Sequence, residues 1–128
     1  MSQEDQILQA NRRFYEAFSA GDATALEACW AKHSPLLTAH PWRPALLGRE
    51  AVLASWRQVL QNPPAIHCSQ ESVTQLGEIA VVTCLEHAGD GTLGATNLWI
   101  EEEGEWRLCH HHAGPLAPVF ETPPAAIH

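Results

Sequence analysis

Apolar residues recur at three- and four-residue steps early in the chain and at two-residue steps from Ile66 onward. Ile7, Ala10, Phe14, Ala17 and Phe18 form one stripe, which predicts a helix from about Glu4 to Ala20. Gly21 supplies its stop, and Asp22 an N-cap for a second, short helix with Leu26, Cys29 and Trp30 on its buried edge. Leu36 to His40 reads as extended, because Pro41 biases the residue before it away from helix. Pro41-Trp42-Arg43-Pro44 follows as a rigid loop. A third helix starts after Gly48 and runs to about Gln61, with Val52, Trp56, Val59 and Leu60 on one face; Asn62-Pro63-Pro64 ends it.

The two-residue pattern predicts strands at about 66–76, 79–88, 93–102 and 105–113, separated by Leu76-Gly77-Glu78, Gly89-Asp90-Gly91 and Glu103-Gly104. Helices first and a strand meander afterwards imply an α+β domain with helices on one face of an antiparallel sheet. Several strands are apolar at both parities, as in Leu98-Trp99-Ile100 and Ile79-Ala80-Val81-Val82. Such a sheet has a second face to cover, and a partner subunit is the natural cover. One domain is expected over 1–116, with an irregular proline-rich tail over 117–128.

Within the last strand, alternation puts Trp106, Leu108, His110 and His112 on one face and Arg107, Cys109 and His111 on the other. Trp106 and Leu108 belong in the core, so His110 and His112 are expected inward and His111 outward. A two-residue turn at Glu103-Gly104 sets a register in which Asn97 faces His110 and Trp99 faces Leu108. His40 closes the first strand, and a partly buried neutral imidazole takes a proton near pH 7. Trp42 stands where a pocket mouth would contact an apolar ligand. Each of these histidines also has a plain reading as a hydrogen-bonded core residue.

Charge and cysteine usage narrow the partners. Fifteen acids against seven bases give a net charge of −8, and the basic stripe that nucleic acid needs is missing. An anionic membrane surface repels such a chain, and no apolar run is long enough to span a bilayer. The run Glu101-Glu102-Glu103 reads as a solvated hairpin tip. The N-terminal residues are acidic and polar, unlike a secretory signal. Cys29, Cys68, Cys84 and Cys109 show no zinc spacing, and free thiols in a reducing cytoplasm are expected, with a Cys84–Cys109 bridge as the alternative. His40, His110 and His112 form a conceivable zinc set, but no carboxylate completes it, so neither metal nor cofactor is expected. Nucleophile elbow, phosphate loop and dinucleotide fingerprint are all missing.

Phe14 to Asp22, His40-Pro41, Gly48 to Arg57, Ala95-Thr96-Asn97 and Gly104 to Pro115 together resemble the SnoaL-like branch of the nuclear transport factor 2-like superfamily over about residues 4 to 116. The resemblance implies a cone-shaped α+β barrel: a strongly curved antiparallel sheet wrapped around the long first helix, with two further helices and a pocket at the wide end. It also implies a homodimer through the convex sheet face. Ketosteroid isomerase members carry their general base where this chain has His40, and their oxyanion tyrosine aligns with Phe14. A two-histidine arrangement resembles the scytalone dehydratase members. The expected site is therefore His40 and His110 as acid/base groups, with Asn97, His112, Trp42, Phe14 and Trp30 around a small apolar or mixed-polarity ligand. Two function classes follow: a non-catalytic ligand-binding or dimerisation module, and a cofactor-free isomerase, cyclase or dehydratase.

Overall fold

Ser2 accepts from the Asp5 N–H and opens helix α1 (Gln3–Ala20), which Gly21 closes in the left-handed conformation at φ 67°. The Asp22 side chain accepts from the Ala25 N–H and starts helix α2 (Ala23–Cys29). Strands β1 (Leu37–Ala39) and β2 (Leu46–Leu47), helix α3 (Arg49–Val59), and strands β3 (Ile66–Leu76), β4 (Ile79–Ala88), β5 (Gly91–Glu102) and β6 (Glu105–Pro115) follow. These elements come from a computed structural model that describes residues 1–89 and 91–116. The expected tail over 117–128 lies outside the described residues.

The sheet has six strands in the order β2-β1-β6-β5-β4-β3, and its two outer strands do not pair, so it is curved and unclosed rather than a complete barrel. It is also mixed. β3 to β6 form the expected antiparallel meander, but β1 runs parallel to β6, pairing Leu37 with His110 and Ala39 with His112. The two-residue β2, which the periodicity could not register, pairs antiparallel with β1.

Helix α1 lies in the concave side and buries Ile7, Ala10, Asn11, Phe14, Tyr15, Ala17 and Phe18. Phe14 and Phe18 set their rings edge-on to Trp56 of α3 at 5.5 and 5.0 Å, and Trp30 joins at 6.3 Å. Phe14 and Trp30, expected to line a ligand, are fully buried packing residues.

One irregularity decides which histidine faces the core. Along β5 and β6, Trp99 lies opposite Leu108 as expected, but the next strand residue, Leu98, lies opposite His110. Cys109 is thus an extra residue, a β-bulge, and every side chain beyond it changes face. His111 is buried at 1% exposure and pairs with Asn97; His110 is half-buried and His112 exposed on the outer face. The inward placement of His110 and His112, the outward placement of His111 and the Asn97–His110 pairing are corrected accordingly. Cys84 and Cys109 do not meet either, since Cys84 lies opposite Ala95, which in turn faces Ala113; all four cysteines are free. Glu101 and Glu103 are exposed, as a solvated tip expects, and Glu102 between them accepts from the Lys32 and His33 N–H groups and the Ser34 hydroxyl, pinning the loop after α2.

Candidate functional site

Five elements place polar side chains inside the cone. Asn11 and Tyr15 stand one turn apart on α1; Glu71 comes from β3, Cys84 and Glu86 from β4, Asn97 from β5 and His111 from β6. Inward alternation explains Cys84 and Glu86, which follow Ala80 and Val82 on the same face of β4. Asn11, Glu86, Asn97 and His111 are at most 1% exposed and Tyr15 is 4% exposed, so each must find partners inside.

They find one another. His111 Nδ1 lies 2.6 Å from Asn97 Oδ1. The Asn97 Nδ2 group donates to Asn11 Oδ1 at 2.9 Å and to the Tyr15 hydroxyl at 3.2 Å. Tyr15 donates to Glu86 Oε2 at 2.6 Å, and Asn11 Nδ2 donates outward to Glu71 Oε2 at 2.9 Å. Because Asn97 Oδ1 can only accept, His111 carries its proton on Nδ1. That leaves the Nε2 lone pair facing Glu86 Oε2 at 3.6 Å.

Burial sets the protonation. It holds the Glu86 carboxyl above the usual range, with the Tyr15 hydrogen bond partly opposing it. It pushes His111 down to about 3, helped by the neighbouring His40, His110 and His112. Burial and the Glu86 charge push the Tyr15 hydroxyl upward. Burial thus works toward the uncharged form of each group, a carboxylic acid, a neutral imidazole and a phenol, within one hydrogen-bonded chain. Such a group is equipped to take a proton at Nε2 and to donate one from Tyr15 or Glu86.

The other expected site residues lie elsewhere. His40 is half-buried and lines a hollow of about 430 Å³ with Arg43, Pro44, Leu46, Ser55, Gln58 and Val59. Its Nε2 is 3.0 Å from the Ser55 hydroxyl, and burial followed by the Arg43 charge lowers its pKa. Trp56 separates this hollow from the buried network, with ring centroids 4.9 Å from His40 and 5.2 Å from His111. Trp42 is 87% exposed at φ 66°, and the hollow beside it is lined instead by Arg43 and Pro44. His110 and His112 share the outer face, with ring centroids 6.3 Å apart. Burial, then His112, lowers the pKa of His110.

The network does touch one opening. About 420 Å³ between α1 and the start of β3 is lined by Arg12, Tyr15, Glu16, Ile66, Cys68 and Glu71, among others. A roomier cleft of about 580 Å³ lies at the far side of α1, against α2 and Trp106, away from this chemistry. Among the described residues, no group of three or more His, Cys, Asp or Glu side chains is placed to hold a metal ion.

Sequence reasoning missed Tyr15, Glu86 and His111. The signals were present but faint: Asn11 interrupts an otherwise apolar stripe between Ile7 and Phe14, and Ala113 breaks the parity set by Trp106 and Leu108.

Comparison with known proteins places the chain. Residues 7–118 match the model of the SnoaL-like domain. Among curated proteins none matches. A solved structure of a candidate dehydratase of the nuclear transport factor 2-like family from Streptomyces avermitilis is 28% identical, at a TM-score of 0.80 over 89% of this chain and 96% of that one. A candidate calcium/calmodulin-dependent protein kinase type II association domain from Thiobacillus denitrificans is 28% identical, at 0.71 over 84% and 93%. A candidate ketosteroid isomerase from Parabacteroides distasonis, 15% identical at 0.73 over 91% and 90%, shares the fold. With a six-stranded curved sheet around its first helix and a family match over nearly its whole length, the chain belongs to the SnoaL-like domain family.

Proposed function

We propose that this protein is a cofactor-free acid–base catalyst whose cone takes a small, largely apolar molecule bearing a carbonyl or hydroxyl group and moves a proton on it, as in isomerisation or dehydration. One observation carries the reading: a neutral imidazole, held by Asn97 through Nδ1, turns its free Nε2 toward Glu86 at 3.6 Å. His111 is the base. Tyr15, backed by the Glu86 carboxyl, whose pKa burial raises, is the donor to a developing oxyanion. Tyr15 also lines the opening between α1 and β3, so the ligand meets it first. The 28% identical candidate dehydratase supports this class of chemistry. In this reading His40 serves the outer hollow, and His110 and His112 belong to the outer face. A net charge of −8 and four free thiols suit a reducing, cytoplasmic setting.

The test is proton exchange in heavy water, followed by magnetic resonance, on a panel of small cyclic enones and ketones. The wild-type protein should catalyse exchange at the acidic carbon of at least one of them. His111→Gln should lower that rate by about 10²–10⁴-fold. Exchange no faster than with free imidazole across the panel would favour the second reading.

That second reading is a non-catalytic ligand-binding or dimerisation module, and the outer sheet face favours it. Val81, Leu98 and His110 stand opposite one another across β4, β5 and β6, each half-buried, with Ile79 opposite Ile100 beside them. A second copy laid on this face would cover the row. The 28% identical candidate association domain is in keeping with it. Sedimentation at micromolar concentration should give a dimer and Leu98→Arg a monomer; a wild-type monomer at all concentrations would remove this interface.

A further inference from the structure

Two of the four thiols face each other. Cys68 on β3 lies opposite Glu86 of β4, and Cys84 is the next inward residue along β4, so the two cysteines are diagonal neighbours on the concave face. The other two thiols are occupied differently: Cys29 donates to the Ala25 carbonyl and Cys109 to the Leu98 carbonyl. Cys68 is half-buried and lines the opening between α1 and β3; Cys84 is behind it, 5% exposed, with its sulfur 3.4 Å from the Tyr15 hydroxyl.

We propose that Cys68 and Cys84 form an oxidant-sensitive dithiol, which closes to a disulfide when a hydroperoxide enters the opening between α1 and β3. The chemistry is independent of the acid–base reading. The neighbouring Cys68 thiol, and the Tyr15 hydroxyl 3.4 Å from its sulfur, lower the pKa of Cys84 against its burial and the nearby Glu86 and Glu71, while the pKa of Cys68 is raised. With a hydroxyl in place beside its sulfur, Cys84 is the attacking thiol. Its sulfur takes the terminal peroxide oxygen, the O–O bond breaks, and the displaced alkoxide leaves as an alcohol with the Cys84 proton. The resulting sulfenic acid is attacked by Cys68; the S–O bond breaks, and water leaves with the Cys68 proton. Two thiols and one hydroperoxide thus give one disulfide, one alcohol and one water, with two electrons passing to the peroxide.

The backbone allows the closure. Diagonal cross-strand residues sit about 7–8 Å apart between Cα atoms, slightly beyond the usual disulfide span. β3 has slack at this point, since its register with β4 shifts between Ser69 and Ser72, and Gln70 there has φ 54°. Closure would draw Cys84 away from Tyr15, so the oxidation state would be felt in the buried network.

The experiment treats the full chain with hydrogen peroxide, caps remaining thiols with N-ethylmaleimide, and maps peptides by mass. The expected product has lost two hydrogens (about 2 Da), keeps Cys29 and Cys109 alkylated, contains a Cys68–Cys84 crosslinked peptide, and reverts with dithiothreitol. In Cys68→Ser, Cys84 should stop at a sulfenic acid that dimedone traps. A bridge between another pair, a bridge between chains, or sulfinic acid without intramolecular crosslinking in the wild-type protein would each overturn the proposal. The wild-type map needs no variant to fold.

Discussion

His111 on β6 and Glu86 on β4 approach to 3.6 Å with all of β5 lying between their strands. Glu86 lies opposite Leu93 and His111 opposite Asn97, and strands two apart are about 9–10 Å from each other, so the two long side chains reach diagonally across the inner face of β5 to meet. The contact exists only in the folded cone, and it ties the protonation of both groups to folding.

Two opposed pH dependences follow from counting protons. In the fold burial pushes His111 from 6.5 down to about 3 and raises Glu86 above 4.5. Below pH 4.5 the unfolded pair holds two protons and the folded pair one, on Glu86, until His111 titrates, so stability falls on acidification, at up to about 1.4 kcal/mol per pH unit. Above pH 4.5 the folded Glu86 holds its proton longer than the unfolded one, which offsets the gain from His111 until Glu86 ionises in the fold. Thermal melts across pH should show the acid limb. His111→Gln should flatten it, and Glu86→Gln should steepen the rise between pH 4.5 and 6.5; unchanged curves in both variants would refute the assignment.

Asn97→Asp should pull His111 in the opposite direction. The new carboxylate beside Nδ1 favours imidazolium, so the pKa of His111 rises from about 3. The same change removes the donor to Asn11 and Tyr15, costing about 1–3 kcal/mol. Imidazole resonances followed through titration would show the rise. A His111 signal that stays neutral down to the acid transition would contradict it.

How much of this was legible in the sequence depended on whether a feature repeats. The α1 stripe from Ile7 to Phe18, the Gly21 stop and the four long strands all write themselves as periodicities, and each lies within a few residues of where the pattern puts it. The β1–β6 parallel pairing and two-residue β2 do not, because three and two residues are too short to show a period. The bulge at Cys109 cost the most, since one unpaired residue exchanges His110 and His112 for His111. Glu86 was overlooked for a different reason: an acid on an inward parity reads as a solvated position unless its partner, Tyr15 from α1, is already placed.

His40→Gln should leave folding nearly intact. The imidazole meets Ser55, whose hydroxyl already donates to the Val52 carbonyl, and half of its surroundings is an open hollow. A glutamine amide reaches the same hydroxyl or water, so the melting temperature should move by no more than a few degrees, equivalent to about 1 kcal/mol. A loss of 3 kcal/mol or more would make His40 a structural member of the core.

Trp56 is the wall between His40 and His111, and its removal should join the two environments. The indole is 1% exposed, contacts Phe14, Phe18 and Trp30 at its edges, and donates to the Thr38 hydroxyl at 3.3 Å. Trp56→Ala deletes that packing and should cost about 3–5 kcal/mol, a large share of the total for a chain of this length. Trp56→Phe keeps an aromatic ring, loses the hydrogen bond to Thr38, and should cost roughly half as much. Chemical access gives the sharper readout. Diethylpyrocarbonate reacts with neutral imidazole nitrogen, so in the wild-type protein it should modify His40 quickly and His111 slowly. In Trp56→Ala at a temperature where circular dichroism shows a folded protein, His111 should react at a rate approaching that of His40. If His111 is modified as fast as His40 in the wild-type chain, the indole is not a barrier. If it stays protected in the folded variant, the separation between the hollow and the network lies in Phe14 and Thr38 instead.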